Sequence, residues 1–133
     1  MGLTSNEIEA ANRAEAIALL VRAGYRVYRP EADCYGEDLI LRTPRQKLLA
    51  VQLKGRMTVD WNRYGKKSLW MLFPSTKFRA GVGRKWFLVP HDKLYKLMKV
   101  KHGHASSFEG AWSCPTVPKS ECLSLAKFEV TSS

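Results

Sequence analysis

A run of seven residues near the middle of the chain, Leu48 to Lys54, places the strongest constraint on the fold. The run begins Leu-Leu-Ala-Val and ends Gln-Leu-Lys. A short apolar run bounded by turn residues is typical of a strand buried in a sheet. Side chains two apart in a strand point to the same face, so Gln52 and Lys54 emerge side by side. Because an unpaired buried polar group costs about 1–3 kcal/mol, we expect a charged partner beside them.

Composition limits the class of protein. The chain has 133 residues, enough for one compact domain. A formal charge of +10 favours a polyanionic partner, usually nucleic acid, over a basic surface that has no specific partner. The 3 cysteines lack the spacing of a disulfide framework, the first residues lack the apolar core of a signal peptide, and no apolar run approaches the length needed to cross a bilayer. We therefore predict a cytoplasmic protein without a membrane partner.

The order of predicted elements indicates one α/β domain over residues 1–133, with a core over about 4–101 and an extension over 102–133. A capping box at Thr4 and Glu7 predicts a helix that ends before Gly24. Strands are expected over 25–28, 37–42, 48–54, 68–73 and 86–89, and a second helix over 93–100. Residues 102–118 read as irregular, and the pattern over 123–130 does not decide between strand and helix.

The first helix is expected to cover a sheet face with an apolar stripe. At helical angles the stripe contains Ile8, Ala11, Ala14, Ala18, Leu19 and Val21. Glu15 falls inside this stripe, whereas Glu9 falls nearly opposite, toward solvent. Glu15 is thus the acidic residue of this helix that we expect to point inward.

A hairpin register brings a second acid to the same place. If the second and third strands turn about Arg45, Leu41 faces Leu49 and Leu39 faces Val51. Asp38 then lies opposite Gln52, within reach of it on the same face. A slip by one residue would leave Asp38 against apolar chains, which favours this register. If the first helix covers this face, Glu15 joins the group.

The resulting set of groups suits metal-dependent hydrolysis. Carboxylate and amide oxygens are ligands for Mg²⁺, which keeps several of its waters. A water bound to the metal is more acidic than bulk water, and a neighbouring lysine can orient it or stabilise charge on a phosphate. Asp38, Gln52 and the Leu53 carbonyl are the expected ligands, with Glu15 binding directly or through water and Lys54 acting on the attacking water. Glu15, Asp38, Gln52 and Lys54 are therefore the candidate catalytic residues.

The order and spacing of these motifs resemble the PD-(D/E)XK nuclease superfamily over roughly residues 11–97. The segment that carries Glu15, Asp38 and Gln52-Leu53-Lys54 is most similar to the Q-x-K branch, which includes intron-encoded homing endonucleases and relatives of archaeal junction resolvases. The resemblance implies a restriction-endonuclease-like core of αβββαβ type with a mixed sheet and the amino-terminal helix packed on it. It also implies Mg²⁺-dependent hydrolysis of DNA, with Mn²⁺ as a substitute, by a homodimer or homotetramer. Glu37 stands where the family has proline, and Gln52 replaces the usual acid.

Two basic segments are candidates for nucleic-acid contacts, because they interleave cations with aromatic residues. The candidate residues are Arg56, Trp61, Arg63, Lys66, Lys67, Lys77, Arg79, Arg84 and Lys85. We expect Trp61 to be exposed, and Trp70 and Trp86 to lie in the core.

Other interpretations of these residues remain open. Glu15 could pair with Arg22 or Arg26, Asp38 could cap a turn, and Gln52 and Lys54 could lie on an exposed edge strand. A zinc site formed by His102, His104, Cys114 and Cys122 is disfavoured by their spacing. His91-Asp92 fits a helix cap better than a catalytic pair, and Cys34 has no evident activating neighbour. A non-catalytic nucleic-acid-binding protein on the same fold is the alternative function, followed by a structural protein with a basic surface.

Overall fold

The computed structural model describes residues 2–32 and 36–131. Cys34 and the end of the loop predicted over 31–35 lie outside these residues. In chain order the elements are α1 (Ser5–Arg22), β1 (Arg26–Tyr28), β2 (Leu39–Arg42), β3 (Leu48–Leu53), β4 (Met57–Asp60), α2 (Trp61–Tyr64), β5 (Leu69–Pro74), β6 (Trp86–Pro90), α3 (His91–His102), β7 (Ala111–Cys114), α4 (Lys119–Ser124) and a 3₁₀ turn (Ala126–Phe128). No helix among the described residues is both long enough and apolar enough to cross a membrane.

Five strands form one mixed sheet in the order β1-β2-β3-β5-β6. Strand β3 pairs antiparallel with β2 and parallel with β5, while β1 and β6 add antiparallel edges. Strands β4 and β7 form a separate antiparallel ribbon. The chain therefore has the mixed α/β architecture that the sequence predicts, with Leu48–Leu53 as the central strand of the sheet. The run is less buried than expected, because only Val51 is fully buried and Leu48, at the start of the strand, is exposed.

The sheet is covered on both faces, which gives three layers. One core lies between α1 and the sheet and contains Ala16, Leu20, Leu39, Val51 and Leu72 among others. The second core lies on the opposite face, beneath α2, α3 and the β4–β7 ribbon, and includes Met57, Tyr64, Met71, Phe87 and Leu94. Neighbouring strand residues alternate between the two cores, as the period of two in a strand requires.

Helix α1 begins as the sequence predicts. The Thr4 backbone N–H donates to Glu7 Oε1 at 2.9 Å, and the Glu7 N–H donates to the Thr4 hydroxyl at 3.2 Å. Hydrogen bonds from the backbone and the hydroxyl of Thr4 lower the pKa of the Glu7 carboxyl. This reciprocal capping fixes the first turn of α1, and that turn borders the candidate site.

The predicted apolar stripe of α1 is wrong in its orientation. The buried residues of the helix are Asn12, Ala16 and Leu20, spaced four apart, whereas Val21 is exposed. Ala16 lies nearly opposite Ala14 and Ala18 around this helix, so its sequence does not define one stripe strongly. Packing of Leu20 against the sheet decides the rotation instead.

Residues 102–118, predicted to be irregular, contain β7, and the basic segment after β3 contains β4 and α2. Strand β7 pairs with β4 from more than fifty positions away in the sequence, with Thr58 opposite Ser113. A pairing this distant leaves no local signal. The undecided segment over 123–130 holds the end of α4 and the 3₁₀ turn, followed by a single bridge from Glu129 to Phe87.

Candidate active site

Asp38 lies where β2 and β3 begin to separate. The register places Leu39 opposite Val51 and Leu41 opposite Leu49, as predicted from the sequence. The Asp38 backbone N–H donates to the Val51 carbonyl at 2.9 Å, and Asp38 Oδ1 accepts from the Leu53 N–H at 3.0 Å. In a ladder the N–H and C=O of one residue point to the same neighbour, so the Leu53 carbonyl also faces the side of Asp38.

The three polar groups of the hairpin share one face of the sheet. Leu39, Val51 and Leu53 pack toward the core beneath α1, whereas Ala50 packs toward the opposite core. Alternation along each strand places Asp38, Gln52 and Lys54 on the face opposite α1. The convergence predicted for these three residues is observed at the end of β3.

A cleft of about 460 Å³ contains these groups. Its lining consists of Ser5, Ile8, Glu9, Asn12, Asp38, Gln52, Leu53, Lys54 and Gly55. The amino-terminal turns of α1 reach past the end of β3 and border the cleft from the side. The cleft therefore combines two carboxylates, one ammonium group and two side-chain amides.

The Lys54 side chain rests on an aromatic ring. Its Nζ lies 5.6 Å from the centroid of Tyr64, and the guanidinium of Arg63 lies 5.2 Å from the same ring. Tyr64 is buried, and its hydroxyl has no hydrogen-bond partner within the part of the chain that the structure describes. The ring of Tyr64 thus gives Lys54 a fixed support at one end of the cleft.

Glu15 does not join the cleft. The structure pairs it with Arg84, whose Nε and Nη2 lie 3.2 and 3.0 Å from the two carboxylate oxygens, and with Trp86, whose Nε1 lies 2.5 Å away. Glu15 could join the cleft only if α1 covered the sheet face that carries Asp38. Helix α1 instead packs on the opposite face, against Leu39 and Val51. Glu9 is 68% exposed, as expected, and its Oε1 lies 3.9 Å from Arg13 Nη2. From this exposed position it is the carboxylate that α1 contributes to the rim of the cleft.

Two of the predicted nucleic-acid contacts, Arg84 and Trp61, are not exposed in the structure. The Arg84 side chain is 0% exposed, so the prediction that it contacts nucleic acid does not hold. Trp61 is half-buried against Tyr95, with ring centroids 4.9 Å apart, rather than fully exposed. Trp86 is buried as expected. The remaining predicted contacts, all at exposed positions, are Arg56, Arg63, Lys66, Lys67, Lys77, Arg79 and Lys85.

His91 and His102 form structural contacts. His91 Nε2 accepts from the Asp60 N–H at 3.0 Å, and its Nδ1 lies 2.9 Å from Asp92 Oδ1. His102 Nε2 lies 2.6 Å from Glu121 Oε1, and its ring stacks on Trp112. These contacts fix the start of α3 and the end of the chain against the ribbon.

The donor set of the cleft fits a magnesium ion. In residues 2–32 and 36–131 no three His, Cys, Asp or Glu side chains cluster closely enough to form a metal cage. A structural zinc site usually has four protein ligands, so the described residues offer no such site. The cleft offers the Asp38 carboxylate and the oxygen of Gln52, whose side chain has no hydrogen-bond partner among the described residues. Magnesium, which keeps several waters and needs one or two carboxylates, is the ion that such a set suits.

Sequence reasoning missed Asn12, which is 6% exposed and lies on the buried face of α1. The signal was its spacing, because Asn12 precedes Ala16 and Leu20 by one and two turns. When a polar residue continues the buried side of a helix past the end of the sheet, its side chain is a candidate to line a cleft there.

Neither protein-family models nor curated protein sequences match this chain. Among solved structures, the bacterial homing endonuclease I-Ssp6803I matches with 17% sequence identity and a TM-score of 0.52. The match covers 96% of this chain and 95% of that protein. At this identity the likeness shows a shared fold over nearly the whole length of both chains.

Proposed function

We propose that this protein is a Mg²⁺-dependent DNA endonuclease and that the cleft at the end of β3 is its active site. The observation that carries the proposal is the convergence of Asp38, Gln52 and Lys54 on one cleft of a chain with a formal charge of +10. The fold shared with a homing endonuclease supports the same reaction class. We also propose that the chain belongs to the Q-x-K branch of the PD-(D/E)XK superfamily.

Four polar side chains of the cleft have roles in the proposed phosphodiester hydrolysis. Asp38, Gln52 and the Leu53 carbonyl would hold the Mg²⁺ ion, with Glu9 contributing through water. When bound, the ion supplies a water of lowered pKa and positive charge beside the phosphate. Lys54 donates a hydrogen bond to the attacking water or to a phosphate oxygen, where negative charge develops.

A cleavage assay with the variant Lys54→Ala tests the proposal. Purified protein is incubated with supercoiled, linear and branched DNA in the presence of Mg²⁺, Mn²⁺ or a chelator. We expect cleavage with either metal and none with chelator, and a loss of at least about 100-fold in Lys54→Ala, because a donor at the developing charge is removed. Lys96→Ala, at an exposed position on α3 away from the cleft lining, is the control and should cleave normally.

DNA binding by both variants distinguishes the alternative function. A nuclease keeps DNA binding in Lys54→Ala while cleavage is lost. Salt-dependent DNA binding by the wild type without cleavage of any substrate would identify a non-catalytic binding protein on this fold instead.

A further inference from the structure

Arg84 is a buried guanidinium held by partners on several sides. Beyond its two bonds to Glu15, its Nη1 donates to the Thr76 carbonyl at 2.8 Å, and the guanidinium lies 5.2 Å from the Trp86 ring. A buried charge that is paired in this way is costly to disturb, since removing its partner leaves the guanidinium buried and unpaired. The pair Arg84–Glu15 therefore ties α1 to the segment that precedes β6.

One bond leads from this pair to the cleft. Arg84 Nη2 donates to Asn12 Oδ1 at 2.6 Å. A guanidinium can only donate, so the amide oxygen of Asn12 must face Arg84 and its NH₂ group must face away. On that side lies Gly55, where an added Cβ would come within 3.0 Å of Asn12 Nδ2. The absence of a side chain at Gly55 leaves the space that the amide nitrogen occupies.

A second groove of about 410 Å³ adjoins the cleft at this amide. The groove and the cleft share Ile8, Asn12 and Gly55. The other residues that line the groove are Arg56, Lys77, Phe78 and Pro115. The groove therefore contains two exposed cations, Arg56 and Lys77, and no carboxylate lines it. The Phe78 ring forms an apolar wall of the groove. We call this feature the basic groove.

We infer that the basic groove binds the phosphate backbone of one nucleic-acid strand beside the scissile phosphate, with the Asn12 amide donating to a phosphate oxygen at the junction. Arg56 and Lys77 neutralise the neighbouring phosphates. Arg84 and Glu15 are positioning residues that hold the Asn12 amide in its donating orientation. The inference rests on the proposed function in that it takes nucleic acid as the substrate.

The isosteric change Asn12→Asp tests the donor role. Aspartate can accept the same bond from Arg84 but presents an oxygen where Asn12 presents N–H. We expect about tenfold weaker binding of a short fluorescein-labelled DNA duplex, measured by anisotropy in chelator, because a hydrogen bond becomes a repulsion. Asn6→Asp makes the same charge change at an exposed position of α1 outside both linings and should leave affinity unchanged.

Gly55→Ala tests the same amide without changing charge. The added methyl group should displace the Asn12 amide and weaken DNA binding by a similar factor, with the folded state verified by thermal unfolding. Gly83→Ala is the matched control, since a Cβ there meets nothing within 4 Å. Unchanged affinity in folded Asn12→Asp and Gly55→Ala would overturn the inference, as would an equal loss in Asn6→Asp.

Salt dependence tests the two cations of the basic groove. The double variant Arg56→Gln/Lys77→Gln should reduce the slope of log affinity against log salt concentration by about 2, since each phosphate contact contributes about 0.9. The control Lys96→Gln/Lys99→Gln removes two exposed lysines of α3 and should leave the slope unchanged. Equal slopes for the wild type and the groove variant would exclude phosphate contacts there.

These binding measurements are independent of cleavage. If the wild type cleaves no DNA but Asn12→Asp still weakens binding as expected, the proposed endonuclease activity fails and the basic groove stands. If the wild type cleaves DNA and the groove variants bind normally, the activity stands and the groove is refuted.

Discussion

The Asp38 carboxylate takes part in both the end of a strand ladder and the lining of the cleft. Its Oδ1 accepts the Leu53 N–H at the point where the β2–β3 ladder ends, and the carboxylate also lines the cleft. Replacement by alanine would therefore confuse loss of structure with loss of chemistry. Asparagine retains an oxygen that can accept the same bond but removes the charge.

We predict that Asp38→Asn lowers the single-turnover cleavage rate at saturating Mg²⁺ by at least about 100-fold, because the carboxylate proposed to hold the ion is lost. DNA affinity in chelator should be equal or higher, since a negative charge near the phosphate disappears. Glu37→Gln changes the neighbouring acid, outside the cleft lining, and serves as control. Normal cleavage by Asp38→Asn would remove this residue from the active site.

Tyr64 positions Lys54 through its ring. A cation over an aromatic face is worth about 0.5–2 kcal/mol, so Tyr64→Leu should slow cleavage by roughly tenfold while DNA affinity stays constant. Tyr64→Phe keeps the ring and removes the hydroxyl, which has no partner among the described residues, so its rate should equal that of the wild type. Single-turnover cleavage rates are measured for both variants. A reduced rate in Tyr64→Phe, or a wild-type rate in Tyr64→Leu, would contradict this role.

Among the elements, the register of the β2–β3 hairpin could be predicted, whereas the rotation of α1 could not. The hairpin register follows from a local turn and from the need to give Asp38 a polar partner. The rotation of α1 depends on which apolar side chain the distant sheet accepts, and Leu19, Leu20 and Val21 compete within one turn. The sequence pattern therefore places Glu15 at the site and leaves out Asn12.

The hairpin turn carries strain that a single change can relieve. Gln46 has a φ of 69°, with its N–H bonded to the Thr43 carbonyl at 2.8 Å. A side chain in this region costs about 1–2 kcal/mol, partly offset by the higher unfolded entropy of glycine. We predict that Gln46→Gly raises the free energy of unfolding by about 0.5–1 kcal/mol in urea titration without affecting cleavage.

Arg45→Gly provides the comparison for this turn, because Arg45 is not among the residues with positive φ. Glycine at that position should lower stability, through its greater freedom in the unfolded chain. The same sign of change in both variants would contradict the proposed strain at Gln46.

At the scale of the whole molecule, charge could be predicted from the sequence but its placement could not. Seven of the proposed contact residues are at exposed positions, while Arg84 is buried in an ion pair that joins α1 to the start of β6. Local basic patterning does not distinguish a cation that contacts solvent from one that a glutamate sixty-nine positions earlier neutralises. The homodimer or homotetramer implied by the resemblance stays a prediction.

The position of a bound divalent ion in the folded protein distinguishes a metal site at the end of β3 from a cleft that holds no metal. In a ¹⁵N-labelled sample, titrated Mn²⁺ should first broaden the amide signals of Asp38, Leu53 and Gly55, because broadening depends on distance from the ion. The same titration of Asp38→Asn should leave these signals sharp. Broadening centred elsewhere, or equal broadening in both proteins, would contradict a metal-dependent active site at the end of β3.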